Sequence, residues 1–358
     1  MGESIWASYI LKYFGGLSKK YYETWNNKLT QPELMFKTMT TDEFSVDGTW
    51  DSAEIKNSVV AADIVSTNSS LPLKKRDSFG FVKGKLPKLG MEKKKNEDDI
   101  ERINLMKAKG TTENAIVNAI FGDLKSCAYG VDVRLEMMFE EALSFGVCEI
   151  DNNENNGTAI RADFGYKTEN QLFGSKVWGA SGYTPITDIQ KMFDRATAQG
   201  TKIKFLYMTP ATLAMIRQSA EGKALYCNYA SLTVQSGIAP NKTRMVEALE
   251  DEFSCKVKLV DNTFNVEKNG VQTPKTPWAA GRIVGTQTDK VGRIIYAQLA
   301  EETNKVSGVE YQKATPYTLL SMYRETNPLY ETTASQAKAI PVIDGGAYII
   351  TLDTTKTA

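Results

Sequence analysis

Residues 112–145 read TENAIVNAIFGDLKSCAYGVDVRLEMMFEEALSF, the strongest helical pattern in the chain. Ile116, Val117, Ile120, Phe121, Leu124, Cys127, Ala128, Val131, Leu135, Met138, Ala142 and Leu143 recur at the three- and four-residue spacing that lines one side of an α-helix. Unbroken, this helix would hold about 34 residues and measure about 51 Å at 1.5 Å per residue. A usual helix has about three turns. Gly122 and Gly130 are places for a bend or a close approach. A helix of this length is a structural spine, and its methionines and aromatics belong to a core rather than to a cofactor pocket.

Upstream of the spine, Ile5, Trp6, Tyr9, Ile10, Tyr13, Phe14 and Leu17 form one stripe of an amphipathic helix, weakened at Gly15-Gly16. The opposite face is not strongly basic, so protein contact is expected rather than a membrane surface. The stripe reads as an arm that docks on a lobe or on a neighbour, with Trp6, Tyr9 and Tyr13 as candidate intersubunit contacts.

Between arm and spine the texture changes. A turn at Val46-Asp47-Gly48-Thr49-Trp50 precedes two β-type runs, residues 58–65 and 79–82, separated by the polar Ser66-Thr67-Asn68-Ser69-Ser70. This is a two-stranded excursion with too few apolar residues for a core of its own. An isolated hairpin is marginal in water, so it must lie against something else. Lys74, Lys75, Arg76, Lys83, Lys85 and Lys88 cluster there. They suit either contact with an acidic neighbour or a solvated edge guarded against aggregation. Residues 92–109 carry dense charge of both signs and read as a solvated helix or linker.

Beyond the spine, residues 151–157 only half resemble a calcium loop: Asn156 replaces the required Gly and Ala162 the bidentate Glu. A hairpin turn into residues 158–164 explains them better. From Thr187 the pattern is α/β. Helices are expected at 187–200, 211–220 and 242–253, the second opened by Thr209-Pro210. Strands are expected at 202–208, 256–260, 281–284 and 292–296. The tail segments 338–343 and 347–352, split by Gly345-Gly346, read as strands returning to a sheet beside the spine.

The chain has 358 residues, enough for two or more lobes. It carries 43 basic and 43 acidic residues, without the basic excess of a dedicated nucleic-acid binder. Histidine is absent, which removes the commonest general base and metal ligand. The four cysteines are too scattered for a disulfide framework and read as reduced thiols. No phosphate loop, dinucleotide fingerprint or nucleophile elbow occurs. The adjacent pairs Glu140-Glu141 and Glu301-Glu302 diverge on a helix and on a strand alike, so neither is a catalytic dyad. No catalytic, metal or cofactor-binding residue is expected. No secretory signal or membrane span is read, and the sequons at Asn68, Asn156 and Asn241 are chance matches.

The order of these parts resembles the tailed-bacteriophage major capsid proteins of the HK97-type fold, nearest the lambda-like E-type capsid family. The resemblance rests on Arg134 to Val147 at the end of the spine, the strand at 157–164, and the region of Trp178 with Thr187-Asp188-Ile189-Gln190. It continues through Phe205-Leu206-Tyr207-Met208-Thr209-Pro210, Val260-Asp261-Asn262-Thr263-Phe264 with Asn269-Gly270, Pro328-Leu329-Tyr330-Glu331-Thr332, and residues 339–352. It implies an α+β chain with an N-terminal arm (1–45), an extended β-hairpin E-loop (46–110), a P-domain with spine helix and β-sheet (111–177), an α/β A-domain (178–325) and C-terminal strands returning to the P-domain (326–358). It also implies a major capsid protein, not an enzyme, that self-assembles into pentamers and hexamers. These would form the icosahedral phage head around double-stranded DNA, assembled in the host cytoplasm. Scaffolding, portal and decoration proteins would be its partners, packaged DNA would touch it non-specifically, and no membrane is involved. An encapsulin-like nanocompartment shell and an α/β enzyme without histidine are the alternatives.

Overall fold

The computed structural model describes residues 3–26, 34–53, 81–150, 159–232 and 240–357. The run at 58–65, the turn at 66–70, Lys74, Lys75, Arg76 and the loop 151–157 lie outside them.

The arm is helix α1 (Ala7–Asn26), which continues through Gly15-Gly16. The aromatic stripe outweighs the poor glycine propensity, because most helix stability comes from packing an apolar face. A short helix α2 (Met35–Met39) leads into strand β1 (Thr40–Phe44). Strands β2 (Thr49–Ala53) and β3 (Phe81–Lys85) pair antiparallel, so the excursion has a hairpin base. The excursion ends sooner than residue 110. Strand β4 (Lys88–Lys95) belongs to the main sheet, so residues 92–95 are strand rather than helix or linker, while helix α3 (Glu97–Ala108) is the expected helix with a largely exposed outer face. The Asn96 side chain caps α3 by accepting from the Asp99 amide at 3.0 Å, and Ile100 and Ile103 bury its inner face.

The spine is two helices. Helix α4 (Glu113–Ile120) stops, the chain turns through 121–123, and helix α5 (Leu124–Phe145) follows with 22 residues, about 33 Å. At Gly122 the ladder gives way to a tight turn in which the Leu124 amide donates to the Phe121 carbonyl at 3.1 Å. Ile120, Phe121 and Leu124 are all fully buried across this break. Apolar periodicity therefore runs through it unaltered and conceals it. At Gly130 a Cβ would collide with the Met91 sulfur, so glycine lets α5 lie directly on β4. Gly146 ends α5 at φ 76°, a left-handed cap packed under the Tyr166 ring.

Next come the hairpin of β5 (Val147–Ile150) with β6 (Ile160–Asp163), strand β7 (Gln171–Gly174), and helix α6 (Pro185–Ala198). Strand β8 (Phe205–Met208) leads to α7 (Pro210–Gln218), α8 (Ala220–Tyr229) and α9 (Lys242–Phe253). The capping residues Thr209, Ser219 and Asn241 each accept a backbone amide. Strand β9 (Lys256–Leu259), the hairpin β10 (Phe264–Lys268) and β11 (Val271–Lys275), and strands β12 (Arg282–Thr286) and β13 (Gly292–Tyr296) follow. Helix α10 (Ala300–Thr303) precedes β14 (Glu310–Lys313), β15 (Thr318–Thr326), the long β16 (Leu329–Ile343) and β17 (Ile350–Thr357).

Two sheets organise the chain. The first has the order β1-β13-β16-β15-β14, with β4 also on β16. Strand β16 is long enough to pair with β4 through 331–338 and with β13 through 339–343. The second has the order β7-β17-β12-β8-β9 and packs with α6, α7, α8 and α9 around a separate core. The sheets divide the chain differently from the expected boundaries. Strands β13, β14 and β15, expected in the A-domain, lie in the first sheet. Strand β17, expected to return to the P-domain, closes the second. Ile350 and Leu352 on β17 are fully buried in the second core, which demands a strand flanked on both sides. Strand β16 does lie against α5 as read from sequence.

Candidate assembly surfaces

Trp6 does not offer itself to a neighbour. It is 1% exposed, in a core with Ile10, Phe14, Ile103, Ile120 and Phe121. The arm docks on its own lobe because α3, α4 and the start of α5 supply an apolar groove that matches its stripe. Lys107 closes the groove with its ammonium 4.6 Å from the Tyr9 ring centroid and 5.9 Å from that of Trp6. Burial pushes the Lys107 amine below its ordinary value. Tyr9 and Tyr13 stay half-exposed and stack at 6.4 Å. The Tyr13 hydroxyl and the Lys12 ammonium both donate to Glu113, at 2.5 and 2.9 Å.

Of the basic candidates, Lys83 and Lys85 are exposed on β3. Lys88 is also exposed but already pairs with Glu301 within the chain, at 2.6 Å. The base of the hairpin is anchored by Trp50, which is buried with its ring 5.7 Å from that of Phe164.

The first sheet has unequal faces. Strand side chains alternate between faces, and α1, α3, α4 and α5 gather on the side of Leu320 and Met322. The register places Glu92, Lys94, Tyr323, Glu325 and Tyr330 together on the other face. There the Tyr323 hydroxyl donates to Glu92 at 3.3 Å, and Lys94 bonds Glu325 at 3.0 Å beneath the Tyr330 ring. Partial burial beside these carboxylates pushes the Tyr323 phenol up to about 12.

The spine carries a feature that sequence reading missed. Asp132, Glu136 and Glu140 lie one turn apart on α5 and are all essentially fully buried. Asp132 accepts from the Lys37 ammonium at 2.8 Å and from the Tyr317 hydroxyl at 3.2 Å. Glu136 accepts the backbone amides of Met35 at 2.7 Å and Phe36 at 2.9 Å. Asn262, from the loop after β9, donates to Glu140 at 2.7 Å and approaches Glu136 at 3.4 Å. Burial, reinforced by their mutual proximity, pushes the Glu136 carboxyl well above the ordinary range, and burial lifts that of Glu140. The signal was available: two glutamates at i and i+4 inside a run of core residues must share one buried face.

All four cysteines are buried free thiols, and burial pushes Cys127 and Cys255 up to about 11. A cleft of about 310 Å³ opens where the chain crosses between the two sheets, lined by Thr288, Lys290, Arg293, Asp344 and Tyr348 among others. Arg293 is held there by Asp344 at 2.7 Å and by Glu43. Among the described residues no group of three or more Cys, Asp or Glu side chains could hold a metal ion, and no helix is long and apolar enough to cross a membrane.

A spine helix under one sheet, an arm and a hairpin base beside it, and a second α/β lobe together make the α+β fold of HK97-type capsid proteins. The chain superposes on a structure assigned as the capsid protein of a prophage of E. coli CFT073, with TM-score 0.55 and 14% identity over 93% of this chain and 97% of that one. A phage-related protein from Bordetella bronchiseptica RB50 matches with TM-score 0.53 and 11% identity over 95% and 96%. The capsid of cyanophage A-1(L) matches with TM-score 0.50 and 9% identity over 92% and 95%. At these identities the likeness is one of fold. No protein-family model matches the sequence, and no curated protein does.

Proposed function

We propose that this chain is a tailed-phage major capsid protein, a subunit that packs into pentamers and hexamers to form the icosahedral head around double-stranded DNA. The observation that carries this reading is the capsid fold itself, which spans nearly the whole chain and leaves little of it for any other domain. The E-loop excursion between β2 and β3 reaches a neighbouring subunit, with Lys74, Lys75, Arg76, Lys83 and Lys85 as contacts. Tyr9 and Tyr13 on the outer side of the arm are further contacts, and the polar patch of Glu92, Lys94, Tyr323, Glu325 and Tyr330 on the first sheet is a surface a neighbour's hairpin can cover. Portal, scaffolding and decoration proteins are its further partners, and contact with packaged DNA is non-specific. Many small contacts of this kind become stable through closure and symmetry.

Negative-stain microscopy of the purified chain tests the reading. Uniform shells, or five- and six-fold rings, are the expected result. A monodisperse monomer at high concentration overturns it. The zero formal charge supports a second reading, a nanocompartment shell of the same fold around protein cargo. Particles from the native source that hold nuclease-resistant DNA favour the phage head, and particles that hold protein and no DNA favour the compartment.

A further inference from the structure

We propose that Glu136 and Glu140 hold one proton between them, and that this proton latches the α2 segment and the Asn262 loop to the spine. The case begins with hydrogen bonds. Both oxygens of Glu136 accept backbone amides, a geometry that suits an ionised carboxylate. Glu140 uses one oxygen to accept from Asn262, and its other oxygen is buried with no donor at all. An orphaned buried carboxyl oxygen beside a second buried carboxyl is resolved by a proton on the orphan, donated toward its neighbour. Two ionised carboxylates so placed would repel with no water to screen them.

The surrounding groups do not replace that proton. Lys37, the cation that α2 brings to this side, bonds Asp132 at 2.8 Å. Tyr317 also faces Asp132, and Asp42 on β1 adds a further negative charge to that end. Asn262 is neutral. Burial lifts Glu140 to about 7.

The pair therefore joins three parts of the chain: the spine, the segment that carries the arm into β1, and a loop of the second lobe. The direction of its pH response follows. In an unlatched state both carboxyls face water and ionise in the ordinary range. In the latched state the proton is retained up to about 7. The latch contributes fully below the ordinary carboxylate range, and its contribution is lost as pH rises to about 7. The latch is a property of the single chain and holds whether or not the chain assembles.

Hydrogen exchange read by mass spectrometry on the full chain tests this. After correction for intrinsic rates, exchange in the peptide covering Met35 and Phe36 should rise at least about tenfold between pH 5 and pH 7.5. Glu140→Gln, neutral at every pH, should flatten that rise and should also remove one protonated-carboxyl band from the infrared spectrum at pH 6. An E140Q profile that parallels the wild type overturns the proposal. Should E140Q not fold, the wild type alone decides. A carboxylic-acid band that bleaches between pH 5 and pH 8.5 supports the latch. Its absence, or corrected exchange independent of pH, overturns it.

Discussion

The arm helix and the β2–β3 hairpin both precede the spine, and both read in sequence as segments that need a partner. Helix α1 finds its partner within the chain: Trp6, Ile10 and Phe14 sit in one core with α3, α4 and the start of α5. The hairpin is held at its base by Trp50 and presents Lys83 and Lys85 to solvent. The contrast lies in composition. An aromatic stripe buries itself against the first groove that fits, because burying apolar area is favourable wherever the area comes from. Lysines on a strand resist burial and guard an edge against pairing with another strand. Under the proposed function, outward reach is therefore assigned to the hairpin more than to the arm.

The strongest way to break this contrast is to remove the distal hairpin. A chain lacking residues 54–80, with 53 joined to 81 by a short glycine linker, should fold with an unchanged thermal midpoint and form no shells by electron microscopy. Normal shells would return the intersubunit role to the arm. The cut must stop before Lys88, since a wider deletion would remove β4, which pairs with β16 through 331–338 and lies under α5, and confound assembly with folding.

The second test falls on the arm itself. Replacing a buried tryptophan with alanine typically costs about 3–5 kcal/mol. Trp6→Ala should lower the stability of the unassembled chain by about that much in denaturant unfolding. Unchanged monomer stability with failed assembly would mean that Trp6 serves a neighbour after all.

Local signals were legible in sequence where their causes were local. Thr209-Pro210 starts α7, and helix α9 spans residues 242–253 as its pattern indicates. The alternation of Lys256, Val257, Lys258 and Leu259 marks β9. What was not legible depends on distant partners. Nothing in Gly292-Arg293-Ile294-Ile295-Tyr296 says that β13 lies between β1 and β16 rather than in the second sheet. The break at Gly122 is hidden because Phe121 and Leu124 continue the same apolar stripe across it. The adjacent pair Glu140-Glu141 is the more conspicuous in sequence, but a helix brings together residues four apart, so Glu136 and Glu140 are the ones that share a buried face. The lysine-rich excursion is legible in sequence as chemistry, but the seat of its base depends on the long strand β16, which β2 touches.

The smallest expected effect sharpens the account of what holds the arm. Lys12 donates to Glu113 at 2.9 Å across the rim of the groove, with both side chains more than half exposed. Such exposed pairs add little, because water and salt screen them and ordering two long side chains costs entropy. Glu113 also keeps the Tyr13 hydroxyl when Lys12 is removed. Lys12→Ala should therefore leave the denaturant midpoint unchanged at physiological salt, in a chain that Trp6→Ala clearly destabilises. Equal losses from the two variants would mean that the polar rim, and not the buried aromatic stripe, fixes α1 in place. The arm would then be free to change partners with ionic strength, and the division of labour between arm and hairpin would fail.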